Sequence, residues 1–254
     1  MNNDVTTKTI GELALEMPGA IKVMEQRGID YCCRGHRSVE DACRAAGISA
    51  DELMLEIGDK RVVGESVQEK SLAELQHYIV ETFHVFERQA LETIRLLADK
   101  VAHRHGANHP EVLELQRITV QIYDDLIPHM LKEEQVLFPY VKALETAVLK
   151  GEPAPVPFFG TVKNPIRMML NEHEAVGGLL TDARRVTSGY KLPEDACLSF
   201  RALYERMIEI EEDLHRHIHL ENNLLFPRAA EFEATRGSKP TFGATGEHNC
   251  SCSH

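Results

Sequence analysis

Tryptophan is absent from the 254 residues, and the aromatic share is only 6%. A chain poor in aromatics and rich in Leu, Ala, Glu and Met is suited to helix rather than sheet. Positive charge is also scarce: 28 Lys and Arg face 40 Asp and Glu, a formal net charge of −12. Nucleic acid and anionic membrane both want clustered cations, so neither is expected as a partner. No uninterrupted apolar run is long enough to span a bilayer. The first residues, Met1 to Lys8, lack the basic-then-apolar pattern of a signal peptide, so a cytoplasmic setting is expected. Six cysteines in a chain of this length do not make a disulfide framework, and Cys32 and Cys33 are adjacent, which agrees with a reducing compartment.

The present residues organise the chain into four stretches. Residues 1–57 read as a small helical domain. A short helix opens at Thr9, a second runs over 20–27 and is stopped by Gly28, and a third starts near Ser38 with Glu40 and Asp41 in its first turn. Residues 58–70 are polar and read as a linker. From Ser71 the apolar residues recur in gaps of three and four, as on long amphipathic helices. The predicted helices cover 71–101, from Pro110 to 149, 162–187 and 194–233. They are separated by a His/Gly turn, by the Pro-rich crossover 151–157, and by the turn at Ser188-Gly189. Residues 71–234 are thus expected to form an antiparallel four-helix bundle, giving an all-α protein. Residues 235–254 carry Cys250, Cys252, His248 and His254 and read as a flexible tail.

One motif occurs twice. His129-x3-Glu133 and His217-x3-Glu221 are each followed by x3-Leu-Phe-Pro, 88 residues apart. Residues i and i+4 share a helix face, so each motif aims an imidazole and a carboxylate at one point. A second repeat lies behind it: His84 precedes His129 by 45 residues and His173 precedes His217 by 44. The midpoints fall in or beside the two hairpin turns, so each pair reaches one height in the bundle. His77, seven residues upstream of His84, is the competitor there, and the matched spacings favour His84.

These residues occupy core positions. The stripe Leu126, His129, Glu133, Val136 puts a carboxylate where an apolar side chain is called for, and so does Leu214, His217, Glu221, Leu224. A buried carboxylate without a partner costs several kcal/mol or is driven to protonate, and a metal ion removes that penalty. Four His and two Glu in matching halves are a ligand set for two metal ions. Imidazole and carboxylate without thiolate suit iron, manganese or zinc. Six donors over two ions leave positions open, which implies exogenous ligands or redox chemistry rather than a closed structural site. His215 and His219, two residues either side of His217, are expected at the surface, and His105 and His109 in solvent at the turn. Glu134 is expected to face solvent or an adjacent helix, and Glu172 and Glu174 to line an entrance.

The His and Glu pattern resembles the hemerythrin-like di-iron fold. It departs from the oxygen carriers of that family at Gly177, where they place a second third-helix His. It departs again at His217-x3-Glu221, where they carry His-x4-Asp. A closer resemblance covers almost the whole chain. The segment Gly28-Ile-Asp-Tyr-Cys32-Cys33-Arg34-Gly35, followed by a hemerythrin-like domain ending in Glu221-Asn-Asn-x-Leu-Phe-Pro-Arg228, is similar to the iron–sulfur cluster repair di-iron proteins. That resemblance implies an oxo- and carboxylate-bridged di-iron centre held by His84, His129, Glu133, His173, His217 and Glu221. It also implies a role in restoring iron–sulfur clusters damaged by nitrosative or oxidative stress, by donating iron. Damaged iron–sulfur proteins would be the partners, with nitric oxide or oxygen as small ligands. The alternatives at the same centre are reduction of nitric oxide to nitrous oxide, or binding of nitric oxide or oxygen for sequestration or sensing.

Cys32 and Cys33 lie in a turn beside Arg34, whose charge is expected to favour thiolate, with Gly35 allowing an unusual backbone. A disulfide between adjacent residues is strained, because their Cα atoms lie only about 3.8 Å apart. Shuttling iron, accepting electrons or forming a mixed disulfide with a partner are therefore the expected roles. Cys43 and Cys197 read as ordinary helix residues. The apolar N-terminal helices offer a surface for a homodimer.

Overall fold

The computed structural model describes residues 8–58 and 67–235. Among the described residues the chain forms four short and four long helices and no strand. The short ones are α1 (Ile10–Glu16), α2 (Ile21–Gln26), α3 (Val39–Ala45) and α4 (Ala50–Ile57). Thr9, Ser38 and Ser49 cap α1, α3 and α4 by accepting a backbone N–H three residues on. Gly28 follows α2 with φ of 65°, a left-handed turn that stops that helix. The expected linker falls largely on residues 59–66 and the expected tail on 236–254, outside the described residues.

The long helices are α5 (72–105), α6 (110–150), α7 (Lys163–Val186) and α8 (198–235). Ser71 and Glu74 start α5 by capping each other's backbone N–H. The next two N–H groups, of Leu72 and Ala73, donate at 2.7 and 3.0 Å to the buried carboxylate of Glu145 on α6. Pro110 opens α6, and Gly151 closes it with φ of 66°. Helix α5 packs against α6 and α8, and α6 against α7. Two apolar layers fill the bundle. One includes Ile94, Leu115, Leu180, Leu203 and Met207, the other Leu75, Ile79, Leu144, Met169 and Leu225. The His and Glu residues fall at the junction of these layers. The side chains of α1–α4 (Ile10, Leu13, Met24, Leu53, Ile57), with Tyr31 of the segment between α2 and α3, close a third core around Ile218 of α8. Most apolar side chains of α1–α4 are thus packed within the chain, while Leu55 of α4 stays exposed.

Helix α8 starts at Leu198, four residues later than its expected start at 194. Ser188, Gly189 and Tyr190 all take positive φ, and Pro193 holds the segment irregular, so the turn continues to Cys197. Cys197 is consequently a cap residue and exposed, not a helix-interior one.

Three of the long helices are interrupted by a π turn beside a His or Glu of the repeats: Val80–His84 in α5, Glu133–Leu137 in α6 and Glu221–Leu225 in α8. The Leu-Phe-Pro of each repeat explains two of them. Proline has no N–H to donate to the carbonyl four residues back, so the ladder loosens. The N–H groups of Phe138 and Phe226 then donate five residues back, to Glu133 O and Glu221 O. In α5 the extra residue in the turn rotates His84 off the surface and into the core. His77 remains exposed.

Candidate metal centre

His84, His129, Glu133, His173, His217 and Glu221 are all brought together, each no more than 1% exposed. They form two groups that share both carboxylates: His84, Glu133, His217, Glu221 and His129, Glu133, His173, Glu221, with donor atoms within 4.8 Å of one another in each. Glu133 Oε2 lies 3.5 Å from both His84 Nε2 and His129 Nε2. The Glu221 oxygens lie 3.2 Å from His173 Nε2 and 3.3 Å from His217 Nε2. The four Nε2 atoms meet in pairs, His84 with His217 at 3.1 Å and His129 with His173 at 3.0 Å.

The Nδ1 atoms explain why every Nε2 points inward. His84 Nδ1 is bonded to Glu134 Oε1 at 2.7 Å, and His129 Nδ1 to Glu172 Oε2 at 2.8 Å. His173 Nδ1 is bonded to Asn222 Oδ1 and His217 Nδ1 to Glu87 Oε1, both at 2.8 Å. The pattern is cyclic. Each imidazole is held by the next helix around the bundle: α5 by α6, α6 by α7, α7 by α8, and α8 by α5. An acceptor on Nδ1 places the hydrogen there and leaves the Nε2 lone pair free to bind a cation. Arg88 (2.6 Å) and Lys132 hold Glu134 and Glu172 in turn. Phe138 stacks on His84 and Phe226 on His173, with ring centroids 6.0 Å apart in both, so the phenylalanine of each repeat steadies an imidazole of another helix.

The electrostatics are those of a site built for positive charge. Both oxygens of Glu133 and both of Glu221 are buried without a hydrogen-bond partner; the imidazole contacts at 3.2–3.5 Å lack hydrogen-bond geometry. Burial, reinforced by Glu221, pushes the Glu133 carboxyl well above its ordinary range. Burial and the neighbouring His217 depress His84 to about 4. The hydrogen bond from His129 draws Glu172 down to about 2, keeping it an anionic acceptor. Orphaned carboxylates among convergent imidazoles fit a pair of cations, since a metal would occupy the oxygens that no donor reaches.

Some residues differ from expectation. Glu172 orients His129 rather than lining an entrance, whereas exposed Glu174 does line the cleft beside the bundle. Glu87 and Asn222 were not read from the sequence. Glu87 lies three residues after His84 on a separate helix from its partner, and only its place on the buried face of α5 with Phe83, Ala90, Leu91 and Ile94 could have flagged it. His105 and His109 are not free at the turn: His105 Nε2 lies 3.1 Å from Cys197 Sγ, and His109 bonds Glu111 and Asp195.

The family model described as the hemerythrin HHE cation-binding domain matches residues 76–229. A second, described as a domain of unknown function (DUF542), matches residues 6–61. The iron–sulfur cluster repair protein YtfE of Yersinia pestis (strain Pestoides F) is 33% identical over 233 residues, 91% of this chain and 100% of the relative. The YtfE protein of Yersinia pseudotuberculosis serotype IB (strain PB1/+) is similar to the same extent. The chain belongs to the iron–sulfur cluster repair family.

In this family member the Cys32–Cys33 turn rests on the bundle. Asp30 Oδ1 accepts the N–H groups of Cys32, Cys33 and Arg34 at 3.2, 2.9 and 3.2 Å. It also lies 3.4 Å from Cys32 Sγ, and the two sulfurs are 3.8 Å apart as free thiols. The expected lowering by Arg34 is overturned for Cys32. The bond to Cys33, burial and the Asp30 charge raise that thiol well above its ordinary value. Gly35 serves closeness, not an unusual φ: a Cβ there would lie 2.7 Å from Tyr31 O, and one on Gly11 2.6 Å from Asn223 Oδ1. His219 is buried at 2% exposure under this turn, with Nδ1 3.3 Å from Tyr31 O, and burial depresses it to about 4. Neither His219 nor the half-buried His215 is at the surface, because the N-terminal helices cover that face of α8.

Proposed function

We propose that this chain holds two iron ions between α5, α6, α7 and α8 and restores damaged iron–sulfur clusters by giving up that iron. His84 and His217 would bind one ion and His129 and His173 the other, with Glu133 and Glu221 reaching both. The observation that carries the reading is the pair of fully buried carboxylates, orphaned in hydrogen bonding and shared by two imidazole pairs. Bound there, iron supplies redox chemistry and, on reduction, more labile metal. The protein's own contribution is to fix the imidazoles through Glu87, Glu134, Glu172 and Asn222, and to exclude water with Phe83, Phe138 and Phe226. The relatives' name supports repair as the purpose, with damaged iron–sulfur proteins as partners.

Cys32 and Cys33 would act in iron transfer. Asp30 Oδ1 and the two sulfurs form a third group of donor atoms within 4.8 Å of one another, at the seam between the N-terminal helices and the bundle. On this reading residues 1–57 and 71–234 are two working units joined by 58–70. Six donors on two ions leave room for nitric oxide or oxygen, and sustained nitrous oxide formation over many turnovers would mark an enzyme rather than an iron donor. Among the described residues no helix is long and apolar enough to cross a membrane; a cytoplasmic setting is the one in which the relatives' named role, iron–sulfur cluster repair, would be needed. The test is transfer: iron-loaded protein incubated with an aconitase-type protein whose cluster has been damaged should restore its activity and lose iron in proportion. No recovery of activity, with the iron retained, would contradict the proposal.

A further inference from the structure

Three of the four groups that hold the imidazoles are carboxylates. The fourth, Asn222, is an amide, and it alone has a second bond that a carboxylate could not make. Its Oδ1 accepts from His173 Nδ1 at 2.8 Å, while its Nδ2 donates to Cys32 O at 3.2 Å. One side chain thus touches both an imidazole of the centre and the backbone of the cysteine turn. Cys33 Sγ lies 3.9 Å from His173 O and 3.7 Å from where a Cβ on Gly177 would stand. A Cβ there would stand in ordinary van der Waals contact with that sulfur, so the turn lies directly against α7. Beside it opens a cleft of about 1620 Å³ between the N-terminal helices, α7 and α8, lined by both cysteines, Gly177 and Asn222.

We propose that Asn222 is a positioning residue that couples the metal centre to the Cys32–Cys33 turn, so that loading the centre withdraws the Cys33 thiol and unloading exposes it. This rests on the reading of His173 as a metal ligand. A metal on Nε2 leaves the ring hydrogen on Nδ1, which must donate to Asn222 Oδ1. The amide is then locked with Nδ2 toward Cys32 O. With Nε2 free to carry the hydrogen instead, Nδ1 becomes an acceptor and asks for the amide's NH2. The rotated amide sets its oxygen against Cys32 O, acceptor to acceptor, and the turn loosens. Asn223 also donates to Cys32 O, at 3.2 Å, but does not touch an imidazole of the centre, so it holds the turn regardless of metal.

The experiment is N-ethylmaleimide labelling of the full chain, read at Cys33 by peptide mass spectrometry, with iron content measured on every sample. Labelling of wild type stripped by reduction and chelation should be roughly fivefold faster than of the ferrous-loaded form, the scale of one hydrogen bond. Asn222→Asp, which can accept from His173 but not donate to Cys32, should label at the stripped wild-type rate whether or not iron is added. Asn223→Ala should label faster in both states and keep the ratio between them. Equal rates for loaded and stripped wild type, or an undiminished ratio in Asn222→Asp, would overturn the coupling. If Glu133→Leu holds as much iron as wild type, the reading of the centre has failed instead.

Discussion

Replacing Glu133 by leucine should change stability in opposite directions with and without iron. The side chain is fully buried, neither oxygen has a hydrogen-bond partner, and burial with the nearby Glu221 drives it to hold a proton. Exchanging a buried, unsatisfied polar group for an apolar one of similar volume removes a desolvation penalty of about 1–3 kcal/mol. Taking about 2 kcal/mol, and roughly 2–4 °C per kcal/mol for a domain of this size, metal-free Glu133→Leu should melt ~4–8 °C above metal-free wild type. Ferrous iron at a hundred times its dissociation constant should then raise wild type by about 2.7 kcal/mol through mass action. The variant, lacking a donor common to both groups, should gain little. Anaerobic calorimetry on four samples, each protein with and without iron, should therefore show the order of Tm invert. A variant that is less stable without metal, or that gains as much from iron as wild type, would refute the assignment of Glu133 as an orphan waiting for a cation.

Glu87→Leu removes the acceptor on His217 Nδ1 and should weaken iron binding by roughly 10–100-fold, read by competition with a chelator. Glu145→Ala uncaps Leu72 and Ala73 and should cost about 1–3 kcal/mol in urea unfolding, with iron content unchanged. Burial, then Glu87, raises Asp213 from 3.8 to about 7. The folded protein thus holds a proton that the unfolded chain loses between those values, giving stability that is full below about 4 and gone above 7. Asp213→Asn should therefore stabilise the fold more at pH 8 than at pH 4.5, by up to about 2–4 kcal/mol at the higher pH, read by urea unfolding at both. The double change Cys32→Ala, Cys33→Ala should leave iron per chain unaltered while slowing transfer to a damaged cluster.

The bundle and its six convergent residues were legible because they are written as periodicity: His-x3-Glu twice, and His at matched spacings in two hairpins. A straight α-helix would set His84 beside the apolar stripe of Leu75, Ile79, Phe83 and Phe86; the π turn at Val80–His84 adds the residue that turns it inward. Glu134 meets an adjacent helix, one of its two expected settings, but the imidazole-holding roles of Glu87, Glu134, Glu172 and Asn222 were opaque for a different reason. Each holds an imidazole on another helix, a relation that no spacing within one helix encodes. His219 was misplaced because the face of α8 that it occupies is covered by a separate part of the chain, whose docking depends on Asn223 meeting Gly11 and Gly35. The late start of α8 reflects left-handed Ser188 and Tyr190, residues that rarely adopt that conformation.

The first quantity to measure is iron per chain, on reconstituted wild type beside His84→Ala and His173→Ala. Wild type should hold two irons, with a visible absorption that bleaches on reduction. Because the two histidines belong to different groups, each variant should lose one iron or more. Zinc in place of iron, or a full complement of two in both variants, would contradict the two-iron assignment.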